Sequence, residues 1–258
     1  MRALVAILCL AFALTGRASS SSSEISDLWY TVGEDGWGVN IVLQNDVAFA
    51  TFYVYDTNRN PVWFTAVLGF SGAPGYVMAG DLFVDRGPWF GGAFNPATVT
   101  ERKAGTATFT LNDLSHATLT YTVDGVVVSK QLERLTFKLE DFSGAYGGGY
   151  SIRKSSCTPS SLNGLQDVSG YLTLTQTGSN LKIAVAASDG TTCTFNGTLT
   201  QYGKMAQTDG TYACSDTTVG TFQLLEMTPT TSGFTARATG RNQFCQWSGQ
   251  MGGITLEP

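Results

Sequence analysis

Charge is scarce in this sequence and histidine nearly absent: 14% of the 258 residues are Asp, Glu, Lys or Arg, and His116 is the only imidazole. A single histidine excludes metal centres built on two or three imidazoles, and it would have to serve alone in any Ser-His-Asp triad. The basic residues form no stripe or patch and the formal net charge is −5, which is the wrong sign for tracking phosphates; no nucleic-acid partner is expected. Cys-x2-Cys knuckles and the Gly-x4-Gly-Lys-Ser/Thr phosphate loop are absent, so neither a metal nor a cofactor is expected. A sustained 3.6-residue periodicity is also missing. Beyond the first residues, no segment approaches the roughly 18 uninterrupted apolar residues of a membrane helix, so no transmembrane anchor is expected.

What is present begins with a secretory pattern. Arg2 supplies a positive start, and residues 3–14 are apolar but too short to span a bilayer comfortably. Residues 1–20 read as a signal peptide with cleavage between Ser19 and Glu24, which places the mature chain in the periplasm or outside the cell. Cys9 lies among Ile7, Leu8 and Leu10, without the small residues that precede a lipidated cysteine. Removing Arg2 and Arg17 leaves thirteen basic residues against twenty acidic ones, a mature net charge of −7.

Four cysteines then remain, Cys157, Cys193, Cys214 and Cys245, all in the second half. An even count in an exported chain points to two disulfides rather than a four-thiolate zinc site. Cys193 and Cys214 are equidistant from Gly203-Lys204, so a hairpin about residues 202–205 would set them opposite each other and leave Cys157 with Cys245. The two other pairings satisfy the same count. Strand-like segments recur every eight to twelve residues between Gly, Asn and Asp, the rhythm of an antiparallel barrel or sandwich. The composition changes near Glu140-Asp141, after a strand-like run at 131–139. The fold class is therefore all-β, with an aromatic-rich domain over 24–140 and a disulfide-containing domain over 141–258.

Aromatics are concentrated in the first domain: fifteen of the thirty, and four of the five tryptophans, lie between Trp29 and Phe94. Two hairpins can be registered there. Turns at Asn45-Asp46 and at residues 56–60 pair Leu43 with Ala48, Val39 with Phe52, Trp37 with Val54, Phe52 with Phe64 and Ala48 with Leu68. One face of this meander is wholly apolar and reads as core. The other carries a polar row, Asn40, Thr51 and Thr65, beside Tyr53, Tyr55 and Trp63, with Tyr53 opposite Trp63. Rings that stack beside groups that orient are what a ligand-binding concavity requires, and these six are the candidate binding residues. Whether a barrel encloses this face or presents it outward depends on the strand order.

The spacing of Asp27-Leu28-Trp29-Tyr30, Gly36-Trp37-Gly38, Tyr53-Val54-Tyr55-Asp56 and Pro61-Val62-Trp63-Phe64 resembles a recurrent module of exported bacterial proteins, over about forty residues. The resemblance implies secretion and β-structure and brings no activity, substrate or catalytic residue. From Gly144 onward, the Gly-x-Tyr and Gly-Thr-(Tyr/Phe) strand starts are similar to a small calycin or avidin-type barrel.

Enzymatic signals are thin. Gly69-Phe70-Ser71-Gly72-Ala73 misses the last position of the Gly-x-Ser-x-Gly elbow, and Ser151-x-x-Lys154 lacks its companion boxes. Gly33-Glu34-Asp35-Gly36 lacks the regular acidic spacing of a calcium loop and reads as a turn. A carboxylate pair for glycoside hydrolysis can be sought among Asp81, Asp85 and Glu101. The leading expectation is a non-catalytic binding protein for a carbohydrate or small amphipathic ligand. The alternative is a structural component of the envelope or of a secreted complex, with the aromatics meeting a protein partner.

Overall fold

A computed structural model describes residues 24–256; the expected signal peptide at 1–20 and its cleavage site lie outside the described residues. The chain forms two closed, eight-stranded antiparallel barrels, each an up-and-down meander. The first holds β1 (Asp27–Tyr30), β2 (Gly38–Gln44), β3 (Val47–Tyr55), β4 (Pro61–Phe70), β5 (Tyr76–Arg86), β6 (Thr100–Leu111), β7 (His116–Val123) and β8 (Val126–Arg134). The second holds β9 (Gly144–Ser155), β10 (Gly164–Thr177), β11 (Asn180–Ala187), β12 (Thr192–Tyr202), β13 (Met205–Cys214), β14 (Val219–Thr230), β15 (Gly233–Asn242) and β16 (Gln246–Thr255). Of barrel and sandwich, the barrel is observed: β1 pairs with β8 and β16 with β9, so neither sheet keeps a free edge.

The hairpin registers of the first barrel are those the alternation dictates. Leu43 pairs with Ala48, Val39 with Phe52, Phe52 with Phe64 and Ala48 with Leu68. Asn45 takes a positive φ of 57°, which asparagine tolerates, and the Asp56 carboxylate accepts the amides of Asn58 and Asn60, each at 2.8 Å. Trp37 departs from the expected pairing. Its amide donates to the Glu34 carbonyl in a turn and β2 starts at Gly38, so the ring stands at the barrel mouth, with its indole near the Tyr121 hydroxyl and the Lys130 ammonium over its face. Val39, Ile41, Ala50, Phe52, Met78, Leu82, Phe109 and Leu119 fill the interior. An eight-stranded barrel has room for the side chains of one face, and the wholly apolar face takes it.

Strands of the second barrel are longer, and they curve where glycine permits close approach. A Cβ on Gly149 would lie 1.8 Å from the Val168 carbonyl oxygen, and one on Gly210 would lie 1.9 Å from that of Asn196. Cys193 pairs with Cys214 across β12 and β13, and both Cys193–Cys214 and Cys157–Cys245 are disulfide-bonded. Both bonds lie at the end of the barrel carrying the β9–β10, β11–β12, β13–β14 and β15–β16 connections.

The strand-like run at 131–139 is cut short, because pairing stops at Arg134 and residues 135–143 cross to the second barrel. The buried Arg134 guanidinium donates to the Asp27 carboxylate at 3.1 Å and to the carbonyls of Leu114 and Glu24, and it stacks on Trp29. Asp27 also accepts the Lys204 amide at 3.1 Å, and Thr136 Oγ1 accepts the Gly203 amide at 2.8 Å. The β12–β13 turn of the second barrel is thereby seated on the closing seam of the first.

Candidate ligand-binding site

The six residues expected to bind are brought onto one surface. Asn40 pairs with Thr51, Thr51 with Thr65 and Tyr53 with Trp63 on the outer side of β2–β4, and Tyr55 ends the same row of β3. Tyr53 is 49% and Trp63 55% exposed, and Phe49 and Val67, also paired, extend the apolar part of the patch. Thr65 donates to Asp85 at 3.2 Å. Because the apolar face occupies the interior, this face is the convex outside of a barrel. It is a stacking surface without walls, not the concavity expected of a ligand-binding face. Asp81, Asp85 and Glu101 share the outer side of β5 and β6: Asp81 pairs with Lys103 at 2.8 Å, and Asp85 is the direct ladder partner of Glu101. They are neighbours on an open surface and do not face each other across a cleft.

His116 meets both Asp113 and Ser115, yet through one nitrogen. Its Nδ1 lies 2.9 Å from Asp113 Oδ1 and 2.8 Å from Ser115 Oγ, whereas Nε2 points toward Glu133 at 3.7 Å. A nucleophile–base–acid relay needs the serine and the carboxylate on opposite ring nitrogens. Burial raises the Asp113 carboxyl, but the hydrogen bonds from Ser115 and His116 outweigh that and hold it at about 2. This is a locked turn leading into β7. Among the described residues no group of three or more His, Cys, Asp or Glu side chains could hold a metal ion, and no helix is long and apolar enough to cross a membrane.

Concave space lies at the barrel mouths. The first barrel has a hollow of about 820 Å³ beside Tyr55, Phe64 and Tyr121, rimmed by Arg86 and by Arg102, whose guanidinium is paired with Asp124. It is broad and open to solvent. The second barrel has a more enclosed cavity of about 410 Å³, running from the disulfide-bearing end to Met251. Five rings line it: Tyr150, Phe195, Tyr212, Phe244 and Trp247. Phe195 stacks on Tyr212 with centroids 4.9 Å apart, and the Trp247 indole donates to the Tyr212 hydroxyl at 3.2 Å, so three of the rings hold one another in place. The Tyr150 hydroxyl makes no hydrogen bond among the described residues. Burial, then Tyr212, Asp189 and Asp216, push its pKa up and keep it neutral.

None of these rings is among the binding residues expected from the sequence. A signal was present: the register that sets Cys193 against Cys214 also sets Phe195 against Tyr212, two inward positions on adjacent strands. Tyr150 and Trp247 had no comparable local cue, since they meet the others only when β16 closes on β9. No known protein family, no curated protein and no solved structure matches the chain.

Proposed function

We propose that the protein is an exported, non-catalytic binding protein that holds a small amphipathic molecule in the mouth of its second barrel. The observation that carries this reading is the enclosed cavity of about 410 Å³ with aromatic walls and a polar rim. Its size falls within the range of small-molecule sites, and barrel mouths are a preferred place for them. Two disulfides fix the rim, so little ordering cost attends binding. Disulfides of this kind persist in oxidising compartments, which agrees with the apolar leader at residues 3–14 and supports export. The first mouth ranks second because its openness would leave much of a ligand in water.

The test is a thermal-shift screen of the mature chain, disulfides intact, against amphipathic compounds and oligosaccharides. A ligand at a hundred times its Kd stabilises by about 2.7 kcal/mol. Plugging the second mouth with Ala187→Trp is expected to abolish the shift, and Thr100→Trp in the first mouth to leave it unchanged. A shift lost only with Thr100→Trp would move the site to the first barrel; one lost only with Trp63→Ala would move it to the outer face and favour a carbohydrate.

A second reading is an interaction component of the envelope or of a secreted complex. It is favoured by the exposed patch of Phe49, Tyr53, Trp63 and Val67, since such patches mark contact surfaces. A larger species on gel filtration that Trp63→Ala dissolves would support it.

A further inference from the structure

The second-barrel cavity carries a charge pattern that its shape alone does not require. Its ionised lining groups are Asp189, Asp216 and Lys154. Asp189 lies in the β11–β12 turn and Asp216 in the β13–β14 turn, so the two carboxylates form an arc on one side of the mouth. Both side chains are fixed, Asp189 accepting the Thr191 amide at 2.8 Å and Asp216 the Thr218 amide at 3.0 Å. Neither has an ion-pair partner among the described residues. Lys154 lies on β9, with β10 between it and the β11–β12 turn and β15 and β16 between it and the β13–β14 turn on the shorter routes around the barrel. Both carboxylates act on the Tyr150 phenol at the cavity wall and raise its pKa, after burial and Tyr212.

A cavity walled by aromatic rings, with two carboxylates against one ammonium in its lining, attracts cations through both the ring quadrupoles and the net negative charge. We infer that the ligand of this cavity is an organic cation whose positive head, a substituted ammonium, sits among Tyr150, Phe195, Tyr212 and Trp247 beneath Asp189 and Asp216. The inference rests on the binding-protein reading and narrows its ligand class. A strongly hydrated small cation is disfavoured, because among the described residues no three His, Cys, Asp or Glu side chains are grouped to replace its water. A soft, weakly hydrated ammonium loses little on entering and gains the ring faces.

The deciding experiment compares two probes of matched shape, 3-hydroxyphenyl-trimethylammonium and 3-tert-butylphenol, which differ in the charge alone. Titration calorimetry is run on the mature chain, on Asp189→Asn/Asp216→Asn and on Lys154→Gln. The expected result is that the cation binds the parent on the order of tenfold tighter than the neutral probe, the scale of one good cation–π contact with carboxylate support. The double variant should lose most of that advantage without changing affinity for the phenol, and Lys154→Gln should strengthen the cation alone. Equal or tighter binding of the phenol overturns the charge preference and leaves the cavity reading intact. Failure of both probes at millimolar concentration, with Ala187→Trp indistinguishable from the parent, overturns both. A cation advantage that persists in the folded double variant overturns the role of the carboxylates.

Discussion

Two barrels with the same strand number and the same meander differ in where their aromatic side chains go. In the first, Trp29, Phe52 and Phe109 fill the interior while Tyr53 and Trp63 stand on the outside. In the second, Phe195, Tyr212 and Trp247 face inward around space, and the rim is tied by two disulfides. Topology is therefore silent on function. What differs is how far the inward rings reach to the axis and what secures the mouth. The first barrel is tied at its seam by a buried ion pair and has a broad, open hollow at its mouth, whereas the second has a smaller, more enclosed cavity whose rim is held by covalent bonds.

The comparison can be broken most forcefully at the first barrel's seam. Replacing Asp27 with Ala removes the only carboxylate hydrogen-bonded to the buried Arg134 among the described residues, and a loss of about 3–5 kcal/mol is expected. Chemical denaturation followed at Trp29 and Trp37 would measure it, and a loss below about 1 kcal/mol would show that the seam is held by packing alone. Next in size is the second rim. The pair Cys157→Ala/Cys245→Ala should cost about 2–4 kcal/mol and weaken ligand binding, because the freed β9–β10 connection no longer fixes the mouth. Reductant should reproduce this while leaving the first barrel's transition in place.

Gly203→Ala tests whether the barrels are coupled. A Cβ there would lie 2.1 Å from Asp27 Oδ2, and φ is +58°, so about 1–3 kcal/mol should be lost. The change should separate the unfolding transitions of the two barrels in calorimetry; transitions spaced as in the parent would show that this contact does not couple them. Trp63→Ala should cost only about 0.2–1 kcal/mol, the value of a cross-strand pair on an open face. A larger loss would mean that the ring is buried against a partner. The smallest effect belongs to Asp113. Its carboxyl is depressed from the usual 3.8 to about 2 in the folded chain, so its stabilisation is present above 3.8 and disappears as pH falls toward 2. Asp113→Asn should be less stable than the parent at pH 7, with the difference shrinking as pH falls through about 2, by thermal melts across that range; a pH-independent difference would assign the effect to packing.

The first barrel's hairpins were legible because two-residue periodicity and short turns fix register locally, which is how Leu43–Ala48 and Phe52–Phe64 follow from residue order. The Cys193–Cys214 pair was legible for the same reason. The cavity was not. Tyr150 and Trp247 belong to its wall only through the closure of β16 on β9, a pairing between the ends of the domain that no local pattern encodes. Likewise, Arg134 reads as an ordinary strand-end charge until β1 closes against β8 and brings Asp27 to it.

By itself, then, the sequence determined an all-β chain, an even set of four cysteines suited to two disulfides, and the register and apolar face of the first domain's two hairpins, because alternation, turn chemistry and cysteine spacing act over a few residues. Closure into barrels, the outward placement of Tyr53 and Trp63, and the aromatic cavity beneath Asp189 and Asp216 were decided only by tertiary structure. Each depends on strands far apart in the chain meeting at the seam, and on the interior having room for the side chains of one face and no more.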